Sequence, residues 1–173
     1  MRLIITILTL LVAFSANALI PLRAQKYIID NFRLDTAEAA LIIQAAQGNI
    51  EQKEVDLATI LAVIERESAY NHLCKSYMGC YGLMQVNYKV WKRELNIENA
   101  QILYDIRKNI EYGTKILVKY VKKYGLNRGL ELYFGKSTKA KAYRKSIIYL
   151  RNKYEDLCYI PEIKKIKIIG GTN

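Results

Sequence analysis

The chain has 173 residues and a formal net charge of +11, from 27 Lys and Arg against 16 Asp and Glu. A hydrophobic share of 51% excludes a disordered polyelectrolyte, and two Pro with nine Gly exclude collagen-like and linker-rich chains. The length fits one domain with short appendages, and the charge directs it toward polyanions: nucleic acid, anionic lipid or an acidic polymer.

The N-terminus narrows that choice. Arg2 precedes an apolar run from Leu3 to Phe14, and Ser15, Ala16, Asn17 and Ala18 follow. Small residues at Ala16 and Ala18 complete the layout of a secretory signal peptide. The apolar run spans about 18 Å as a helix, short of the roughly 30 Å hydrocarbon core. Leu19, Ile20 and Leu22 extend it, so a retained anchor is the alternative to cleavage after Ala18. Expected boundaries are a signal peptide at 1–18, an N-terminal segment at 19–33, a catalytic domain at 34–157 and a basic tail at 158–173. Export to the periplasm or beyond removes nucleic acid as a partner and permits disulfides. Cys74 and Cys80, six residues apart in a loop-like stretch, are the expected pair, with Cys158 left over. Together with His72 the three cysteines make a Cys₃His zinc set, but their spacing matches no usual zinc pattern, so no metal is expected.

Helical periodicity dominates from there. Asp35 with Glu38 has the form of a capping box before Ala39 to Gln47, and Gly48 supplies a stop. Val55 to Ser68 carries Leu57, Ile60, Leu61 and Ile64 at helical spacing. Tyr70 to Tyr81 reads as a loop, and Asn87 to Leu95 as a short helix. Asp105 to Tyr124 is the longest helix, with Tyr112, Tyr120 and Tyr124 at packing positions. Lys119, Lys122 and Lys123 form its solvated face or a surface drawn to an anionic partner. Gly129 to Phe134 and Thr138 to about Asp156 complete the helices. Ile163 to Ile169 alternates Ile and Lys as a short strand or a basic tail. The fold class is all-α, in one domain.

One carboxyl is out of place on its helix. Glu67 falls seven residues after Ile60, so it points within about 20° of the apolar stripe, while Glu65 and Arg66 turn toward the opposite side. Burial and the partial negative charge of a helix C-terminus both favour the protonated carboxyl. A carboxyl protonated near neutral pH suits a general acid; a solvated helix-end Glu paired with Lys is the plain alternative.

The surrounding residues add order to that position. Glu67-Ser68 is followed by Tyr70-Asn71, then Gly82-Leu83-Met84-Gln85, then Asn109-Ile110 with Gly113, then Leu132-Tyr133-Phe134-Gly135. This succession, over roughly Leu34 to Tyr154, resembles the soluble lytic transglycosylase family, whose catalytic domain is like goose-type lysozyme. The resemblance implies a lysozyme-like fold, no cofactor, and cleavage of the β-1,4 bond between N-acetylmuramic acid and N-acetylglucosamine with formation of a 1,6-anhydro sugar. It implies Glu67 as acid and base, Ser68 as support for Glu67 or for the acetamido group, and Gln85 and Tyr133 as cleft residues. Asn109 is a substrate contact or a structural hydrogen-bonder. The family's Asn after the Tyr is Phe134 here, and the cysteine loop is not a general family feature. Small exported members that serve secretion or conjugation machines are similar in size. A hydrolytic muramidase and a non-catalytic wall-binding scaffold are the competing readings, and a monomer is expected.

Overall fold

The computed structural model describes residues 21–50 and 54–159. The expected signal peptide at 1–18 and the Ile163 to Ile169 stretch lie outside the described residues. Among the described residues no helix is long and apolar enough to cross a membrane. The elements are α1 (Leu22–Phe32), α2 (Thr36–Gln47), α3 (Leu57–Ser68), β1 (Cys80–Tyr81), β2 (Val86–Asn87), α4 (Tyr88–Trp91), a 3₁₀ turn (Ala100–Tyr104), α5 (Ile106–Phe134) and α6 (Ala140–Cys158). The mainly α, lysozyme-like reading holds.

The helix starts follow local chemistry. Asp35 caps α2 by accepting from the Glu38 amide at 2.8 Å, and Asp56 caps α3 by accepting from the Thr59 amide at 2.8 Å. The other half of the expected capping box is not made, because the Glu38 carboxyl turns to His72 Nδ1 at 2.7 Å. His72, weighed above as a zinc donor, thereby ties the loop after α3 to α2. α5 is broken at Gly125 (φ 74°, ψ 164°), which separates the long helix from a shorter arm that carries Tyr133 and Phe134.

α3 is the central strut. Every residue from Ala58 to Ile64 is buried, as befits a helix apolar on all sides and enclosed by others. α6 packs along it, and Arg151 of α6 reaches Asp56 at 2.5 Å and Thr59 at 3.0 Å. α1 was not expected as an element, since its apolar start reads as an extension of the leader. It belongs to the folded unit: Ala24 and Ile28 are fully buried, and Arg23 donates to the Asp156 carbonyl at 3.1 Å. The domain therefore begins before residue 34. A second, smaller cluster of Val86, Ile97, Leu103, Tyr112 and Ile116 gathers under the β1–β2 hairpin. Tyr133 packs against both clusters and marks where they meet. Tyr124, expected to pack, is instead half-exposed.

The hairpin explains the cysteines, which are free thiols in the structure. Lys75 bridges Tyr81 in antiparallel register, which sets Ser76 opposite Cys80 and Gly82 opposite Cys74. Cys74 and Cys80 are thus diagonal neighbours across this bridge. Burial, with the charge of Asp56 behind it, pushes the Cys158 thiol up to about 11, which leaves it a poor nucleophile.

Candidate active site

Where the two clusters meet, a cleft of about 380 Å³ opens. Glu67 from the end of α3, Gln85 from the hairpin and Tyr133 with Phe134 from the last arm of α5 line it, and Trp91 and Tyr120 stand among its other walls. Glu67 is the acidic residue among the described residues that line this space. The wheel argument for its direction thus matches its position. Burial holds its carboxyl above the ordinary value of 4.5, against the Tyr143 hydrogen bond and the Arg66 charge, which favour ionisation.

Tyr143 of α6 donates to Glu67 Oε1 at 2.6 Å. Burial, with the Glu67 charge beside it, holds this phenol well above its ordinary range, so it stays a donor. Sequence reasoning passed over Tyr143 because it lies outside the motif blocks. A signal was present: Tyr143, Ile147 and Tyr154 share the buried face of α6, and a buried phenol needs a polar partner.

The backbone after Glu67 is specially held. Ala69 and Tyr70 both take left-handed conformations (φ 48° and 63°), a cost of roughly 1–3 kcal/mol each in non-glycine residues. The turn is fixed by Tyr70, which is buried, packs at a 46° tilt on Phe32 with ring centroids 4.8 Å apart, and puts its hydroxyl 2.7 Å from that of Tyr154.

The Gly82-Leu83-Met84-Gln85 block builds the facing wall. Met84 is fully buried, and its backbone is gripped at both ends: its amide donates to Asn109 Oδ1 at 2.8 Å and its carbonyl accepts from Tyr133 Oη at 2.7 Å. A side chain at Gly113 would sit 2.6 Å from the Met84 side chain, so that glycine allows α5 to close on the hairpin. A Cβ at Gly82 (φ 72°) would meet Asn109 Nδ2 and the Leu103 carbonyl at 2.2 Å, so both conformation and space demand glycine there.

The expected substrate contacts separate into two groups. Gln85 and Tyr133 line the cleft. Gln85 donates to the Gly82 carbonyl at 2.9 Å, and Tyr133 carries its hydroxyl to Met84. Asn109 is buried behind the wall, with its amide given to the Tyr81 and Leu103 carbonyls at 2.8 and 2.7 Å. Of the two roles open to it, the structural one is observed. Ser68 is also buried, and its hydroxyl bonds the Ile64 carbonyl one turn back at 3.1 Å rather than the Glu67 carboxyl. A helix-end hydroxyl that finds the i−4 carbonyl has no need of a cleft partner.

Residues 44–146 match the family model of the transglycosylase SLT domain. The chain belongs to that family. No solved structure matches the chain. The match encloses Glu67, the hairpin wall, Tyr133 and Tyr143. SLT domains belong to peptidoglycan-cleaving lytic transglycosylases, so peptidoglycan is the substrate class that the family assignment supports.

Proposed function

We propose that the protein is an exported peptidoglycan lytic transglycosylase in which Glu67 is both acid and base. The observation that carries this reading is that, among the described residues, the wall of an open cleft carries one carboxyl, Glu67, which burial holds above its ordinary value. Ordinary glycosidases need a second carboxyl as nucleophile or to activate water. A lytic reaction needs only one. The Glu67 proton passes to the glycosidic oxygen as the bond from C1 of N-acetylmuramic acid breaks. The acetamido oxygen of the same sugar supports the positive C1. Its own 6-hydroxyl then bonds C1 and returns its proton to Glu67. The 1,6-anhydro product forms, no water is consumed, and the acid is restored. Attack within one sugar gains from proximity. Tyr143 supports the stage in which Glu67 is ionised, since its hydrogen bond favours the charged form.

The sequence features at 1–18 support export, and the basic charge favours encounter with the anionic wall. The test is a digest of purified peptidoglycan read by mass spectrometry, with Glu67→Gln beside it. Anhydro ends that vanish in Glu67→Gln are the expected result. Reducing ends in their place identify a hydrolytic muramidase. No cleavage by either protein, with wall binding intact, identifies a scaffold.

A further inference from the structure

Phe134 stands where the family resemblance calls for an asparagine, so an amide's hydrogen bonds are lost from the cleft. Its ring has taken a different place. It stacks on Tyr143 with centroids 4.7 Å apart and planes 26° from parallel, while Tyr143 holds Glu67 Oε1 at 2.6 Å. The stack is braced one helical turn back. Glu131, buried and three residues before Phe134, pairs with Arg144, the residue after Tyr143, at 3.3 Å, and with Arg128 at 2.8 Å. The arm of α5 after Gly125 and the start of α6 are therefore joined at two points, one ionic and one aromatic. The aromatic one leads directly to the carboxyl.

We propose that Phe134 is a positioning residue, whose ring fixes the Tyr143 phenol at the angle from which it serves Glu67. A phenol turns about two side-chain torsions, and a 2.6 Å hydrogen bond survives only a narrow range of them. A face-on neighbour removes one side of that freedom, and offset stacking is a favoured aromatic geometry. An amide at this position presents a much smaller plane and no ring. This proposal rests on the reading of Glu67 as the acid of glycan cleavage for its kinetic part, and on geometry alone for its spectroscopic part.

The test joins both parts in the full chain. The ¹³Cζ resonance of Tyr143, identified as the one missing from Tyr143→Phe, reports its hydrogen bond by NMR. In Phe134→Ala that resonance moves toward the position of exposed tyrosines, and in Phe134→Trp it stays. On purified peptidoglycan, Phe134→Ala lowers kcat about tenfold while KM stays within about twofold, and Phe134→Trp restores kcat. In a Tyr143→Phe background, Phe134→Ala costs nothing further. Phe134→Leu keeps the apolar volume without a ring and serves in the same way if the alanine variant does not fold. An unmoved Tyr143 resonance, or a loss of kcat as large without the Tyr143 hydroxyl as with it, overturns the proposal. A resonance that moves in a protein without cleavage activity upholds the positioning of Tyr143 and overturns the reading of Glu67 instead.

Discussion

Glu65 and Glu67 lie two residues apart on α3, and each receives a phenol from α6: Tyr154 at 2.6 Å for Glu65, Tyr143 at 2.6 Å for Glu67. Their settings differ in what lies on the other side. Glu65 takes a second phenol from α1, Tyr27 at 3.4 Å, and its network continues from Tyr154 to Tyr70 at 2.7 Å. Lys153 bonds Tyr27 and extends the network. Glu67 has the same kind of donor but faces the cleft. The same two residue types thus make a tie in one place and a cleft-facing carboxyl in the other. A second phenol beside Glu65 and a cleft beside Glu67, more than the shared kind of donor, separate the two.

Substitutions sharpen this contrast. The largest effect is expected from Glu67→Gln, which removes the acid and lowers lytic kcat by about 10²–10⁴-fold. The same change raises stability at neutral pH. A carboxyl whose folded value is raised above 4.5 contributes no penalty below that value, and destabilises progressively as pH rises through its folded value. Thermal melts of both proteins from pH 4 to 8 read this directly: the gap should widen with pH in favour of the glutamine variant.

Tyr154→Phe acts on the Glu65 side. It strips Glu65 and Tyr70 of a shared partner, and a loss of about 1–3 kcal/mol is expected by urea denaturation. The pH dependence of cleavage should not change, and a shift would mean that the two carboxyls are coupled. Tyr143→Phe inverts the pattern. About a tenfold loss of kcat is expected, for a single charge-assisted hydrogen bond. Because that bond favours ionised Glu67, its removal raises the carboxyl further, and the alkaline limb of the pH–rate profile moves to higher pH.

The smallest effect belongs to the far end of α3. Asp56→Ala removes a helix cap and the Arg151 tie, for a loss of about 1 kcal/mol in thermal or urea melts. Burial raises the Asp56 carboxyl, but its bonds to Arg151 and Thr59 outweigh that and hold it below 3.8. Its contribution is therefore present above pH 3.8 and fades as pH falls through the folded value, so wild type and variant should converge in acid.

Much of this arrangement is legible in the sequence. The Asp35 cap, the stripe of Ile60 and Ile64, and the direction of Glu67 all follow from helical spacing, which acts within a few residues. Glu65 was not legible for a specific reason. The wheel turned it away from the stripe, and that side counts as solvent only if α1 is missing. Without α1 there is no Tyr27, and so no second phenol for Glu65. The two-residue strands were too short to show alternation, so the hairpin and its register stayed hidden. Asn109 and Ser68 carry motif residue types whose observed tasks are structural, a distinction that depends on contacts across the fold.

The grip on Met84 has a consequence in time. Its partners Asn109 and Tyr133 lie 25 and 49 residues further along the chain, and Glu67 waits 76 residues for Tyr143. Contacts of such separation are closed late in folding, after the local helices. A growing chain therefore carries its acid long before it carries the wall and the phenol that make the acid useful. On the proposed function, Glu67 thus stays without its partners until nearly all of the domain has been made.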